Sequence, residues 1–75
     1  MTMIAPRITV DPQVRFGKPV IEGTRVPVSV IVGAVAAGDS WEEITQEYGI
    51  REDDIRAALA YAANRLEEET VRDPV

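Results

Sequence analysis

Residues 41 to 60, WEEITQEYGIREDDIRAALA, set apolar and small side chains at the spacing that lets two short helices cross in a helix-turn-helix. With Trp41 as the first place of the unit, Ile44, Tyr48, Ile50 and Ile55 fall on the inner face, and Ala58 and Leu59 continue it. Gly49 stands at the turn, where the chain leaves the first helix through a left-handed residue. Ile50 is placed to plug the angle between the helices. Thr45 occupies a position where such units usually carry alanine, and it is small enough to fit.

The flanks extend the pattern. Ser40-Trp41-Glu42-Glu43 is a capping box, so a helix starts at Trp41 and runs to Tyr48. A last helix is expected over 52–69, with Ile55, Ala58, Leu59, Ala62 and Leu66 inward, followed by a flexible tail over 70–75. Upstream, Pro27 suits the first position of a helix over 28–37, which Gly38 ends. That helix, VSVIVGAVAA, is apolar nearly all round, so it needs cover on more than one side. A second subunit would supply it through Val28, Ile31, Val32 and Val35. Before it, residues 8–26 read as a short strand around Ile8 and Val10, starting at Arg7, and a hairpin from about Lys18 to Val26 turning at Glu22-Gly23. Pro19 confines the hairpin strand to an edge. The expected fold is one mainly α domain over 1–75: a three-helix, homeodomain-like helix-turn-helix with a small N-terminal β-strand and hairpin.

Composition narrows the chemistry. The 75 residues contain no cysteine and no histidine, which removes disulfides, thiolate nucleophiles and the commonest general base and zinc ligand. So small a domain buries about 60% of its unfolded surface, and oligomerisation is the usual remedy. A homodimer is expected. No apolar run approaches the roughly 18 to 20 residues of a membrane span, and MTMIAPRITV does not read as a signal peptide, so the expected location is cytoplasmic.

The formal net charge of -5 is unevenly spread. Residues 1–38 hold Arg7, Arg15, Lys18 and Arg25 against Asp11 and Glu22, whereas residues 39–75 hold eleven carboxylates against four arginines. Glu52, Asp53 and Asp54 fall on the first turn of the last helix, where the helix dipole favours negative charge without any catalytic role. The segment GKPVIEGTR lacks the spacing of a phosphate-wrapping loop. Nothing points to an enzyme, a cofactor, a metal or a small-molecule substrate. If the chain binds DNA, its cations are Arg7, Arg15, Lys18, Arg25, Arg51 and Arg56. Three consecutive acids at the start of the last helix oppose its entry into a groove in the usual orientation.

Gly17-Lys18-Pro19, Gly23-Thr24-Arg25-Val26-Pro27-Val28, Gly38, Ser40, Glu42-Glu43-Ile44, Tyr48, Ile50, Asp53-Asp54-Ile55 and Ala58-Leu59-Ala60-Tyr61-Ala62 follow one another in the order of a known pattern. From about Ile8 to Ala63 the chain resembles the small prokaryotic family called domain of unknown function 433. It departs from that family at Phe16, where glycine is usual, at Gly49, where proline is common, and at Arg51, where Thr or Ser usually caps the last helix. Members look like homeodomain-type helix-turn-helix domains, and many resemble VapB-like antitoxins of type II toxin-antitoxin pairs. The resemblance implies a PIN-like ribonuclease toxin as partner and operator DNA as a second ligand. The acidic C-terminal end, Glu67, Glu68, Glu69 and Val71, is the expected contact with the nuclease, whose RNA-binding cleft would be basic. A freestanding DNA-binding transcriptional regulator and a dimeric module without a nucleic-acid role are the alternatives.

Overall fold

A computed structural model describes residues 1–69 and contains a three-stranded antiparallel sheet followed by three helices. The segment 70–75, with Val71, lies outside the described residues. The strands are β1 (Thr2–Ala5), β2 (Ile8–Val10) and β3 (Val20–Ile21), paired in the order β1-β2-β3. The helices are α1 (Val28–Ala36), α2 (Trp41–Tyr48) and α3 (Glu52–Glu67).

β1 is absent from the sequence reading, which begins the sheet at Arg7. The backbone reverses at Pro6-Arg7, pairing Ala5 with Ile8 and Met3 with Thr9. Proline supplies the first bend of such a turn, and the second residue takes a positive φ. Here that residue is Arg7, at φ 65°, so Arg7 belongs to the turn and the strand starts at Ile8. The hairpin is present in its hydrogen bonds. The Ile21 N–H donates to Val26 O at 2.9 Å and the Val28 N–H donates to Pro19 O at 3.0 Å, around a turn at Glu22-Gly23.

The core forms where the buried face of the sheet meets the helices. Ile8 and Ile21 come from the sheet, Val28, Ile31 and Ala34 from α1, Ile44 from α2, Ile55 and Ala58 from α3, and Ile50 from the α2–α3 turn. Five isoleucines, Ile8, Ile21, Ile31, Ile44 and Ile55, are at most 1% exposed. Stiff β-branched side chains of one size fill the space between short elements with little rotamer entropy to lose. Gly49 ends α2 at φ 65° and ψ 36°, its N–H donating to Thr45 O, and the chain turns directly into Ile50.

Two expectations about faces are corrected by this packing. Val28 and Ile31, assigned to a dimer interface, are 5% and 0% exposed inside the chain's own core, where α3 and α2 pack on α1 and Ile8 and Ile21 of the sheet join the same cluster. Val32 and Val35 remain half-buried. Leu66, expected inward, is 64% exposed, because it lies on the last turn of sixteen-residue α3 and lines an open groove facing α1 rather than the core.

Both halves of the Ser40 capping box form: the Glu43 N–H donates to the Ser40 hydroxyl at 3.1 Å, and the Ser40 N–H donates to the Glu43 carboxylate at 3.0 Å. The backbone N–H of Ser40, then its hydroxyl, holds the Glu43 carboxyl below its ordinary pKa. A carboxyl depressed by folding contributes stability above its unfolded pKa, and that contribution is lost as pH falls through the folded value. Ser40→Ala is expected to cost about 1 kcal/mol in urea unfolding at neutral pH. Glu43→Gln should flatten the acid limb of the stability curve in the same measurement.

Candidate functional site

Asp54 sits on the first turn of α3 at 8% exposure, with both carboxylate oxygens engaged. One accepts from the Arg51 backbone N–H at 2.9 Å, closing the open end of the helix. The other accepts from Nη1 of Arg7 at 2.9 Å, and Nη2 of Arg7 lies 3.6 Å from Asp53. Arg51 has no acceptor in its side chain, so only the acidic half of a capping box forms there, and Asp54 does the work that Ser40 and Glu43 share on α2. Arg7 is therefore a clamp between the β1–β2 turn and the start of α3. Its left-handed backbone costs on the order of 1 kcal/mol, offset by that ion pair.

Arg56 is likewise engaged. Its guanidinium lies 5.1 Å from the centre of the Trp41 ring and pairs with Asp53 at 3.3 Å and Glu52 at 3.6 Å. This exposed network ties α3 to the first residue of α2. Arg51 is exposed and directly precedes the three acids in the chain. Of the six cations considered for DNA, these three thus lie beside the acidic first turn of α3.

The other three gather elsewhere. Arg15, Lys18 and Arg25 are exposed and form no ion pair with a carboxylate among the described residues. Nε of Arg15 donates to Arg25 O at 3.2 Å, joining the two segments. Between Arg15 and Lys18 the chain makes one left-handed turn, Arg15–Gly17, with φ of 53°, 57° and 80°, closed by the Gly17 N–H on Val14 O and the Lys18 N–H on Arg15 O. Phe16 stands at its apex, 98% exposed. The glycine that the family resemblance implies at this place would have a physical cause, since the backbone is in the region most L-residues avoid. A shallow hollow of about 320 Å³ lies beside the ring, walled by Arg15, Phe16, Lys18, Pro27, Ser29 and Val30.

Next to that hollow, and sharing Lys18 and Ser29 with it, a larger open groove of about 650 Å³ runs between α1 and α3. Val32 and Gly33 line one wall, and Tyr61, Ala62 and Leu66 the other. Glu67, Glu68 and Glu69 follow Leu66 at the exposed end of α3, with Glu68 paired to Arg65 at 2.9 Å. The structure thus places the expected acidic contact residues beside an apolar groove, a juxtaposition that periodicity misses because it assigns Leu66 to the core. Among the described residues no three acidic, histidine or cysteine side chains converge as metal ligands, and no helix is long and apolar enough to cross a membrane.

The small domain thus presents an apolar groove, an acidic helix end and an adjoining cationic turn. Its lineage is defined by sequence: the chain belongs to the family described as Protein of unknown function (DUF433), whose model matches residues 8–62. It is similar to "Putative antitoxin VapB45" of Mycobacterium tuberculosis, with 33% identity over 52 residues, covering 69% of this chain and 22% of that protein. It is also similar to "Uncharacterized protein y4eO" of Sinorhizobium fredii, with 41% identity over 61 residues, covering 79% of this chain and 28% of that protein. The chain therefore spans under a third of the length of these relatives. No solved structure matches it significantly.

Arg7→Ala is expected to lower stability in urea unfolding by about 1 to 2 kcal/mol, because it strands Asp54. In the same variant, any nucleic-acid affinity measured by fluorescence anisotropy should change less than in Lys18→Ala.

Proposed function

We propose that this chain is a non-enzymatic antitoxin domain that binds and inhibits a PIN-like ribonuclease in the cytoplasm and, as a homodimer, binds operator DNA. The observation that carries this reading is the exposed Leu66 on the lip of an apolar groove, followed at once by Glu67, Glu68 and Glu69. Apolar area at the centre of a contact supplies affinity, and carboxylates at its edge select a basic partner and speed encounter. A nuclease cleft that attracts RNA phosphates is such a partner. Family membership and the similarity to a protein named as a putative antitoxin support the same assignment.

The homodimer of this reading draws on Val32 and Val35 from α1, since Val28 and Ile31 are consumed by the core. Its DNA contact draws on Arg15, Lys18 and Arg25, because the start of α3 presents Glu52 and Asp53 beside its arginines. Those three cations also favour a second reading, a freestanding helix-turn-helix regulator, in which binding depends on counterion release and weakens as salt rises.

The decisive experiment is inhibition of a PIN-like ribonuclease encoded beside the gene, assayed by cleavage of labelled RNA. Leu66→Asp should weaken inhibition at least about tenfold, as expected for a central apolar anchor, and deletion of 67–75 should weaken it further. Unchanged inhibition by both variants removes the α3 end from the contact. Failure of the wild-type chain to bind the nuclease removes the antitoxin reading.

A further inference from the structure

The turn Arg15–Gly17 carries a side chain that folding does not explain. Phe16 is 98% exposed, so its ring gains nothing from burial, and its backbone at φ 57° and ψ 34° is in the left-handed region that bulky side chains rarely adopt. Strain held at an exposed aromatic, with no packing to offset it, marks a position kept for a contact. The surroundings indicate the chemistry of that contact. In a chain of net charge -5, the ring is flanked by Arg15 and Lys18, with Arg25 tied to Arg15 through its carbonyl oxygen. The described carboxylates that form ion pairs do so with Arg7, Arg56 and Arg65, leaving these three cations for an external anion. Beside the ring, the hollow of about 320 Å³ has Pro27 and Val30 as apolar wall and Ser29 as a hydroxyl donor.

We propose that the Phe16 turn is a binding site for single-stranded nucleic acid, in which Phe16 stacks on one unpaired base, the adjoining hollow receives that base or its neighbour, and Arg15, Lys18 and Arg25 hold the flanking phosphates. A fully exposed ring offers a free π-face, and an unpaired base offers the matching one; cations on both sides of the ring follow the backbone on either side of the base. A base pair within a duplex has both faces covered by its neighbours, so the duplex offers the cations but not the ring a partner. The site adjoins the groove between α1 and α3, sharing Lys18 and Ser29 with it, and uses the cations that the operator-DNA reading draws on, so the single-strand and duplex arms of the test separate the two ligands.

The test is fluorescence anisotropy on the full chain with a labelled oligothymidylate about a dozen nucleotides long, within the span that such sites cover, and with a duplex of equal length. The single strand should bind more tightly than the duplex, with affinity falling as salt rises. Phe16→Gly should weaken single-strand binding roughly 5- to 150-fold, the range of one lost base stack, while its melting temperature stays equal or rises because the turn is relieved. Phe16→Trp should retain binding. Lys18→Glu combined with Arg25→Glu should abolish it with the fold intact by circular dichroism. Equal affinity of wild type and Phe16→Gly, tighter binding to the duplex, or no binding of the single strand at low salt would each overturn the proposal. Phe16→Gly should also inhibit a cognate nuclease as wild type does, so loss of the strand and loss of the toxin are read separately.

Discussion

One carboxylate joins the two halves of this molecule. Asp54 closes the N-terminus of α3 through the Arg51 N–H and, with its other oxygen, receives Arg7 from the β1–β2 turn. The sheet is only three short strands and cannot stand alone, and α3 supplies Ile55 and Ala58 to the core next to Asp54. The Arg7–Asp54 pair, at 2.9 Å, links the β1–β2 turn to the helix that carries Ile55, in the same core cluster as Ile8, Ile21 and Ile31. Its energy is modest, because Arg7 remains partly in solvent, so its value lies in geometry as much as in stability.

That arrangement also divides the charges by task. Arg7 and Arg56 face acids and an indole, and they lock α3 against the turn and α2. Arg15, Lys18 and Arg25 are left around Phe16, while Glu67, Glu68 and Glu69 extend from an apolar groove at the far end of α3. A protein of net negative charge thereby shows a cationic turn and an acidic helix end on either side of one groove, whose lining includes Lys18 and Leu66.

The three helices were legible because their signals are local. Ser40 and Glu43 mark a helix start, Gly49 a left-handed exit, and Pro27 a permitted first residue, each through backbone geometry that neighbouring residues decide. β1 was not legible, since Thr2–Ala5 is exposed on three of four residues and shows no alternation, and only the Pro6-Arg7 turn betrays it. The expected roles of Arg7, Val28, Ile31 and Leu66 failed or shifted for one reason. Whether a side chain meets solvent depends on which element lies across from it and how far that element extends. Phe16 departs from the pattern that the family resemblance implies, but the positive φ and the exposure that give the departure meaning appear only in three dimensions.

A double-mutant cycle between Arg7 and Asp54 tests the central claim most directly. Urea unfolding of wild type, Arg7→Ala, Asp54→Asn and the double variant yields the coupling free energy, with allowance for the cap that Asn retains in part. A clamp between sheet and helix predicts a favourable coupling of about 1 kcal/mol or more, with Asp54→Asn the costlier single change. Additive costs would contradict it, and would return Arg7 to the set of cations free to meet a partner.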